Sequence, residues 1–351
     1  MRPFSTVIAF SAVALHATNT HAIPPQAVFI SSAADSYSGI PDVKDAVNPI
    51  CIPFYGLRDA IMGGLFQGRC NLNAKAAIRI SFHDAGPFSL ASQAAGLPNS
   101  GADGSIIVYP EELTRDLNNG LQTIAGLLAP LPDQFNVSPG DVVHLAGTLG
   151  LLACPGGPST TVFVGRPPPR NIAPDGFLPN SAHSIEFLTA RFADMGFSER
   201  EMVTLVGVHS IGKQMFIDPT KINATFDTTP DVLDTRFYTE TRDGKVTPHT
   251  ILLDSDVGFA TQPPTAKHWE SFIGNQTLWA IDYAAAHEKL SVLGLDPETV
   301  AGLIDCSEIL PLPIDITKLL VPGPVEGGEE PMVDPVKLEA VTRRYRSIWL
   351  A

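Results

Sequence analysis

Apolar residues recur at helical spacing through most of the chain. From Phe54 to Gly64 and from Asn73 to Ala85 they return every three to four positions, which predicts two helices with one buried face. The same period predicts helices over Gly120–Leu128, Pro139–Leu152, Ser184–Met195, Glu199–Ser210 and Lys267–Leu293. "SPGD" at 138–141 and "FSERE" at 197–201 place capping residues ahead of two of them. Few segments alternate with period two, so the expected fold class is mainly α. Residues Pro87–Asp103, rich in Gly, Ser, Ala and Pro, predict a loop, and the proline-rich "GRPPPRNIAPDGFLP" predicts a connector between two halves. No internal repeat is visible. After Cys306 the chain is proline- and glycine-rich, then changes character. Asp334 and Pro335 suit an N-cap and first helical position, ahead of an apolar stripe of Leu338, Val341, Tyr345, Ile348 and Trp349. Arg343, Arg344 and Arg346 run beside that stripe, which is expected to pack onto its own protein, with an external partner as the alternative.

One stretch breaks the pattern. "AAIRISFHDAG" (76–86) sets Arg79, His83 and Asp84 among small and apolar residues. On a helix, Arg79 and His83, four apart, face the same way, while Asp84 points about 100° further round. A single buried His or Arg is ordinarily a satisfied structural residue, so the triplet needs support from elsewhere. "GADGS" (101–105) supplies the Asp103 carboxylate, the Ser105 hydroxyl and nearby carbonyls, with Gly101 and Gly104 allowing a tight turn. Joined by Asp84, these are hard oxygen ligands suited to Ca²⁺. "VTLVGVHSIGK" (203–213) puts His209 and Ser210 at the end of an apolar helix, and "FDTTPDVLD" (226–234) offers Asp227, Thr229 and Asp234 as a second oxygen cage with Ser210. Each half thus presents a helix ending in a histidine with calcium-type ligands beside it.

Composition narrows the class. The 351 residues are 44% hydrophobic and 17% charged, enough for a large core. With 37 acidic against 23 basic side chains and a net charge of −14, binding to nucleic acid or an anionic membrane surface is not expected. The start, "MRPFSTVIAFSAVALHATNTHA", has the form of a secretory signal peptide over residues 1–22, followed by a polar N-terminal arm over 23–50. No later stretch is long and apolar enough to span a membrane. Export implies an oxidising compartment, so Cys51, Cys70, Cys154 and Cys306 are expected to form two disulfides, in any of three pairings. Asn223-Ala-Thr225 and Asn275-Gln-Thr277 are glycosylation sequons.

Taken together and in order, "RISFHD", "GADGS", "VGVHSIG", "FDTTPDVLDTRFYTE" and "LLDSD" carry a resemblance. Over about residues 50–310 the chain is similar to the haem peroxidases of the plant, fungal and bacterial superfamily, most of all the secreted fungal class II. The resemblance implies a helical peroxidase domain over 51–310, with haem b between a distal half (about 51–165) and a proximal half (about 180–310), and a C-terminal extension over 311–351. It implies that His83 is the distal histidine, Arg79 the distal arginine and Phe82 the aromatic beside them, with Asn118 orienting His83 and Glu112 preceding it. His209 would be the iron ligand, Asp256 the acceptor on its other nitrogen and Phe226 the proximal aromatic. Distal calcium would take Asp84, Gly101, Asp103 and Ser105; proximal calcium would take Ser210, Asp227, Thr229, Val232 through its carbonyl, and Asp234. Cys70–Cys154 and Cys51–Cys306 match two of the family's disulfides.

The implied activity is a monomeric secreted enzyme that uses hydrogen peroxide to form a ferryl product, which takes single electrons from small phenolic or aromatic donors at the haem edge. Two departures bear on the donor. Where ligninolytic members hold Mn²⁺ with acidic side chains, this chain has Leu72, Ala76 and Met215, which do not ligate a hard cation. Where some members carry a surface tryptophan, it has Thr204, and Trp269, Trp279 and Trp349 are expected in the core. The alternatives are a ligninolytic enzyme with a non-standard surface radical site, or a calcium-stabilised secreted binding protein without turnover.

Overall fold

The computed structural model describes residues 48–321 and 332–350; the expected signal peptide and nearly all of the arm lie outside them. The described chain is mainly helical, as its apolar period predicts. α1 (Ile52–Asp59) runs into a wider, π-helical segment, Ala60–Leu65. α2 (Leu72–Ala85) is started by Asn71, whose side chain accepts the Ala74 N–H at 2.9 Å. Short helices α3 (Leu90–Ala94) and α4 (Ser105–Val108) lead to α5 (Gln122–Leu128), α6 (Leu131–Phe135) and the long α7 (Pro139–Ala153). Beyond the connector come α8 (Ile185–Asp194), α9 (Glu199–Val206), α10 (Arg236–Arg242) and α11 (Asp254–Thr261). They are followed by α12 (Ala266–Phe272), α13 (Gln276–Ser291), α14 (Pro297–Gly302) and, last, α15 (Pro335–Leu350). Among the described residues, strand is confined to two short antiparallel pairs: β1 (Phe163–Val164) with β2 (Ile304–Asp305), and β3 (Leu320–Val321) with β4 (Met332–Val333).

Several boundaries differ from the periodic reading, each for a local reason. The segment 87–103 is not all loop: Ser89 caps α3 by accepting the Ser92 N–H, and Asp194 on α8 accepts the Ala91 N–H at 2.9 Å. The helix predicted over Glu199–Ser210 stops at Val206 and tightens into a 3₁₀ turn, Gly207–Ile211, where the Gly207 backbone lies against Trp279 and Tyr238. The helix predicted over Lys267–Leu293 is two. Gly274 turns left-handed (φ 63°), and Asn275 recaps the chain by accepting the Leu278 N–H at 3.2 Å.

The core has two apolar clusters that meet at α2 and α7. Ala74, Ala77 and Ile80 of α2 belong to one, with α1, α5 and most of α7; Ile78 and Ala85 belong to the other, with α8–α13. The helices approach closely because α7 carries glycine where α2 lies. A Cβ on Gly147 would fall 2.5 Å from Ser81 Oγ, and one on Gly150 would fall 2.5 Å from the Ala74 carbonyl. Trp269 and Trp279 are fully buried, with their indole N–H groups donating to the Tyr238 and Thr204 carbonyls. Cys51–Cys306 and Cys70–Cys154 are disulfide-bonded, the pairings that the family likeness implies.

α15 docks on the first cluster through Tyr345 and Trp349, while Val341 of the same stripe stays exposed. Tyr345 is buried there, Trp349 packs beside it, and Arg58 of α1 lies between the rings of Tyr55 and Trp349, at 5.1 and 5.8 Å. Asp334 starts the helix by accepting from the N–H groups of Val336 (2.9 Å) and Lys337 (3.2 Å). Trp349→Ala is expected to lower stability by about 1–3 kcal/mol, below the usual figure for a fully buried ring. Urea unfolding measures this; an unchanged midpoint would mean that the helix is not docked in solution.

Candidate active site

α2 delivers Arg79 and His83 to one space. Arg79 is anchored by backbone: its Nη2 donates to the Leu117 carbonyl at 2.7 Å and its Nη1 to the Asn119 carbonyl at 2.9 Å. Burial lowers its pKa to about 10, so it stays a cation at neutral pH. His83 is held from both sides. Its Nδ1 is 2.7 Å from Asn118 Oδ1, and its Nε2 is 3.2 Å from Arg79 Nε. An amide oxygen only accepts and a guanidinium only donates, so the proton sits on Nδ1 and the lone pair on Nε2. Asn118 is oriented in turn, because its Nδ2 donates to the Glu112 carbonyl at 2.8 Å. Burial first, and then the Arg79 charge, push the His83 pKa down to about 3, against a smaller opposing effect of the Asn118 bond. The site therefore holds a neutral imidazole whose unprotonated Nε2 accepts from a cation. Phe82 meets the imidazole edge-on, with centroids 6.1 Å apart, and stacks on Phe192 of α8.

His209 lies on the 3₁₀ turn after α9. Its Nδ1 is 2.9 Å from Oδ2 of Asp256, a buried carboxylate in the first turn of α11. Its ring lies against Phe226 and Phe237, with centroids at 5.5 and 5.9 Å. Burial is the largest influence on its pKa and pulls it down, but the charge and hydrogen bond of Asp256 outweigh it and leave it raised. The Arg79 charge acts in the same direction as burial, as the smallest of these influences. The His209 side chain keeps 34% of its surface exposed, and its Nε2 makes no hydrogen bond to the described residues. An imidazole tied at Nδ1 to a carboxylate and open at Nε2 is the donor that an axial haem ligand requires. Beside the distal groups lies a cavity of about 410 Å³, lined by Pro87, Arg115, Leu117, Pro174 and Leu178.

The sequence-predicted cation ligands also converge. Asp84, fully buried, turns away from His83 and accepts from the Gly104 N–H at 2.9 Å, His144 Nε2 at 3.0 Å and the Ile106 N–H at 3.4 Å. Asp103 accepts the Ser105 N–H at 3.0 Å, and its own N–H donates to the Gly101 carbonyl at 2.9 Å. The Ser105 hydroxyl is buried near Asp103 and Glu112 without a well-formed hydrogen bond. Burial raises Asp84 to about 7; burial and the Asp84 charge raise Asp103 to about 8. In the second group, Ser210 Oγ is 2.7 Å from Asp227 Oδ2 and 3.1 Å from the Val232 carbonyl. Thr229 donates through its N–H to Asp227 at 2.8 Å and through its hydroxyl to Asp234 at 3.1 Å. Burial and the Asp234 charge raise Asp227 well above the usual carboxylate range. Among the described residues no three His, Cys, Asp or Glu side chains gather for a metal. Each group instead offers two carboxylates with hydroxyl and carbonyl oxygens, a hard donor set that fits Ca²⁺.

Three supports were not foreseen. His144 reaches Asp84 from α7, Phe237 forms a second ring against His209, and Arg191 of α8 braces the end of α2 through the Gly86 and Phe88 carbonyls. Each is a lone residue far away in sequence, with no local signal of its partner.

Comparison with known proteins agrees with this geometry. A family model described as peroxidase matches residues 60–275. The chain is 36% identical over 290 residues to manganese peroxidase 3 of Phlebia radiata, covering 77% of this chain and 79% of that protein. It is 34% identical over 330 residues to ligninase H2 of Phanerodontia chrysosporium, covering 88% and 86%. It is also 34% identical over 281 residues to ligninase A of the same fungus, covering 75% of each.

Asp84 and Asp103 hold protons more tightly when folded than unfolded, where carboxylates titrate near 4. Without a cation, these two carboxylates are therefore expected to favour the folded state increasingly as pH falls from about 8 toward 4, while the buried neutral His83, His144 and His287 act in the opposite direction below their ordinary range. A bound divalent cation keeps the carboxylates ionised and removes their share of the slope. Urea midpoints at about pH 5 and 8, in chelator and in calcium, test this: calcium is expected to raise the midpoint more at pH 8 than at pH 5, and an equal rise at both would contradict it.

Proposed function

The chain belongs to the peroxidase family, and on that footing we propose specific roles for its residues in the reaction of a haem-dependent, hydrogen-peroxide-consuming oxidoreductase. The observation that supports the assignment is the contrast between two histidine environments. One is a neutral imidazole beside a cation, and the other is a carboxylate-bound imidazole with an open nitrogen. His209 would hold the haem through its open Nε2, and the haem iron would supply the redox chemistry that cleaves the O–O bond of peroxide. His83 takes the proton of the inner peroxide oxygen at Nε2 and passes it to the outer oxygen, which leaves as water. Asn118 keeps Nε2 free for this by holding the other nitrogen's proton. Arg79 stabilises the negative charge that grows on the departing oxygen, in a site where buried electrostatics are strong. Asp256 accepts from His209 Nδ1 and makes Nε2 a stronger donor. Two small phenolic or aromatic donors would then each give up one electron and one proton, leaving as radicals while the second peroxide oxygen is released as water.

The same reading includes two bound Ca²⁺ ions. Asp84 lies next to His83 in sequence and Ser210 lies next to His209, so each ion would tether the backbone of an essential histidine. It also includes export, with residues 1–22 removed and the exposed Asn223 and Asn275 open to glycosylation. No helix among the described residues is long and apolar enough to cross a membrane. The acidic surface suits a monomer that avoids nucleic acid and anionic lipid. The reading disfavours manganese as the donor, because the side chains of Leu72, Ala76 and Met215 carry no oxygen ligand.

His83→Ala is expected to slow the reaction with peroxide by at least ~10²-fold with haem still bound. Stopped-flow recording of the Soret band decides this, and an unchanged rate would sink the role of His83. Under turnover, Mn²⁺ with a chelating dicarboxylate should give no Mn³⁺ absorbance while a simple phenol is oxidised; accumulation of Mn³⁺ would overturn the donor assignment.

A further inference from the structure

One cation on α2 has no part in the roles given above. Lys75 lies one turn before Arg79 on the same face of the helix. Its side chain is only 10% exposed, and its Nζ reaches off the helix to another segment. It donates to the Pro230 carbonyl at 2.6 Å and to Asp231 Oδ1 at 2.8 Å. A simple surface ion pair would not require this, because Asp231 is 75% exposed and can be met in solvent. Burial lowers the Lys75 pKa, against the opposing bond and charge of Asp231. A strongly hydrated ammonium is thus drawn out of water to reach a main-chain oxygen.

Pro230 belongs to the loop that braces His209. Phe226, at the start of that loop, lies against the His209 ring. Ser210, next in sequence to His209, is bonded to Asp227 and to the Val232 carbonyl, on either side of Pro230. Beyond Val232, the Leu233 N–H donates to the Pro155 carbonyl at 2.8 Å, just past the end of α7. The far end of the loop is therefore fixed at the exit of α7, and its middle is tied to α2 by Lys75. A continuous path results. It runs from His83 and Arg79 along α2 to Lys75, across to Pro230, and on through Asp227 and Ser210 to His209.

We propose that Lys75 is a positioning residue for the haem: its hold on the Pro230 carbonyl sets the spacing between the helix that carries His83 and the loop that braces His209. The inference rests on the peroxidase reading and adds to it the residue that registers the two histidines against each other. The contact that matters is the one to main chain, and the exposed Asp231 carboxylate is secondary to it.

The test measures how fast the haem-loaded enzyme, in saturating calcium, gives up its haem to an excess of apomyoglobin. Lys75→Met keeps the length of the side chain and removes its donors. It is expected to speed haem loss by about three- to tenfold and to change the visible spectrum of the ferric enzyme. Lys75→Arg, which still donates to a carbonyl, should restore the wild-type rate and spectrum. Asp231→Asn should alter the rate by less than about twofold, because an exposed partner contributes little. Arg242→Met breaks an ion pair with Glu270 elsewhere in the same half and controls for a general loss of stability; it should leave the rate as it is. An unchanged rate in Lys75→Met overturns the inference, as does a rise of the same size in Lys75→Arg, Asp231→Asn or Arg242→Met. A wild-type protein that binds no haem would overturn the peroxidase reading and this inference with it. A wild type that holds haem no more tightly than Lys75→Met overturns this inference alone.

Discussion

The contact between α2 and α7 is the constraint on which the rest depends. Gly147 and Gly150 remove side chains where Ser81 and the Ala74 carbonyl come in, so the two helices are held at backbone range. That fixes the rotation of α2 about its own axis, and α2 has three faces with three duties. One abuts α7, one turns Arg79 and His83 to the reaction space, and one turns Asp84 to the cation ligands. A rotation of a few tens of degrees would misplace all three sets at once. α7 does more than abut: His144 reaches across to Asp84, so the same helix pair sets both the packing and the first oxygen cage.

The site places ionisable groups in a low-dielectric interior, which is unfavourable unless each has a partner. The partners form chains that reach well beyond the reaction space. His83 leans on Asn118, Asn118 on the Glu112 carbonyl, and the Glu112 carboxylate accepts the Ala173 N–H at 2.9 Å. Ala173 belongs to the proline-rich connector, and its own carbonyl accepts from Arg115 at 2.6 Å. The segment that reads as a passive link thus helps to set the direction of a histidine lone pair.

Much of this was legible because it is local or periodic. The stretch 76–86 declares a helix and its odd charges, Ser138 and Ser198 mark helix starts, and the tail stripe shows an apolar face that needs a surface. What could not be read is what depends on through-space partners. Nothing near Arg191 says that it braces the end of α2, and nothing near His144 says that it meets Asp84. Cysteine count allowed three pairings, and only the family likeness pointed to the two that form. The break at Gly274 hides inside an otherwise continuous helical period, because one left-handed residue and a new cap barely disturb apolar spacing.

The ends of the described chain meet. Cys51 is bonded to Cys306, 255 residues on, and Trp349 comes back to Arg58, a buried residue of the first described helix. As the ribosome works from the N-terminus, α1 emerges early and its covering layer emerges last. That corner of the protein cannot close until α15 has been made; it remains an open seam through the synthesis of everything between. Assembly is therefore ordered in time by topology, and a nascent chain halted short of α15 would carry an exposed apolar flank of the kind that chaperones hold.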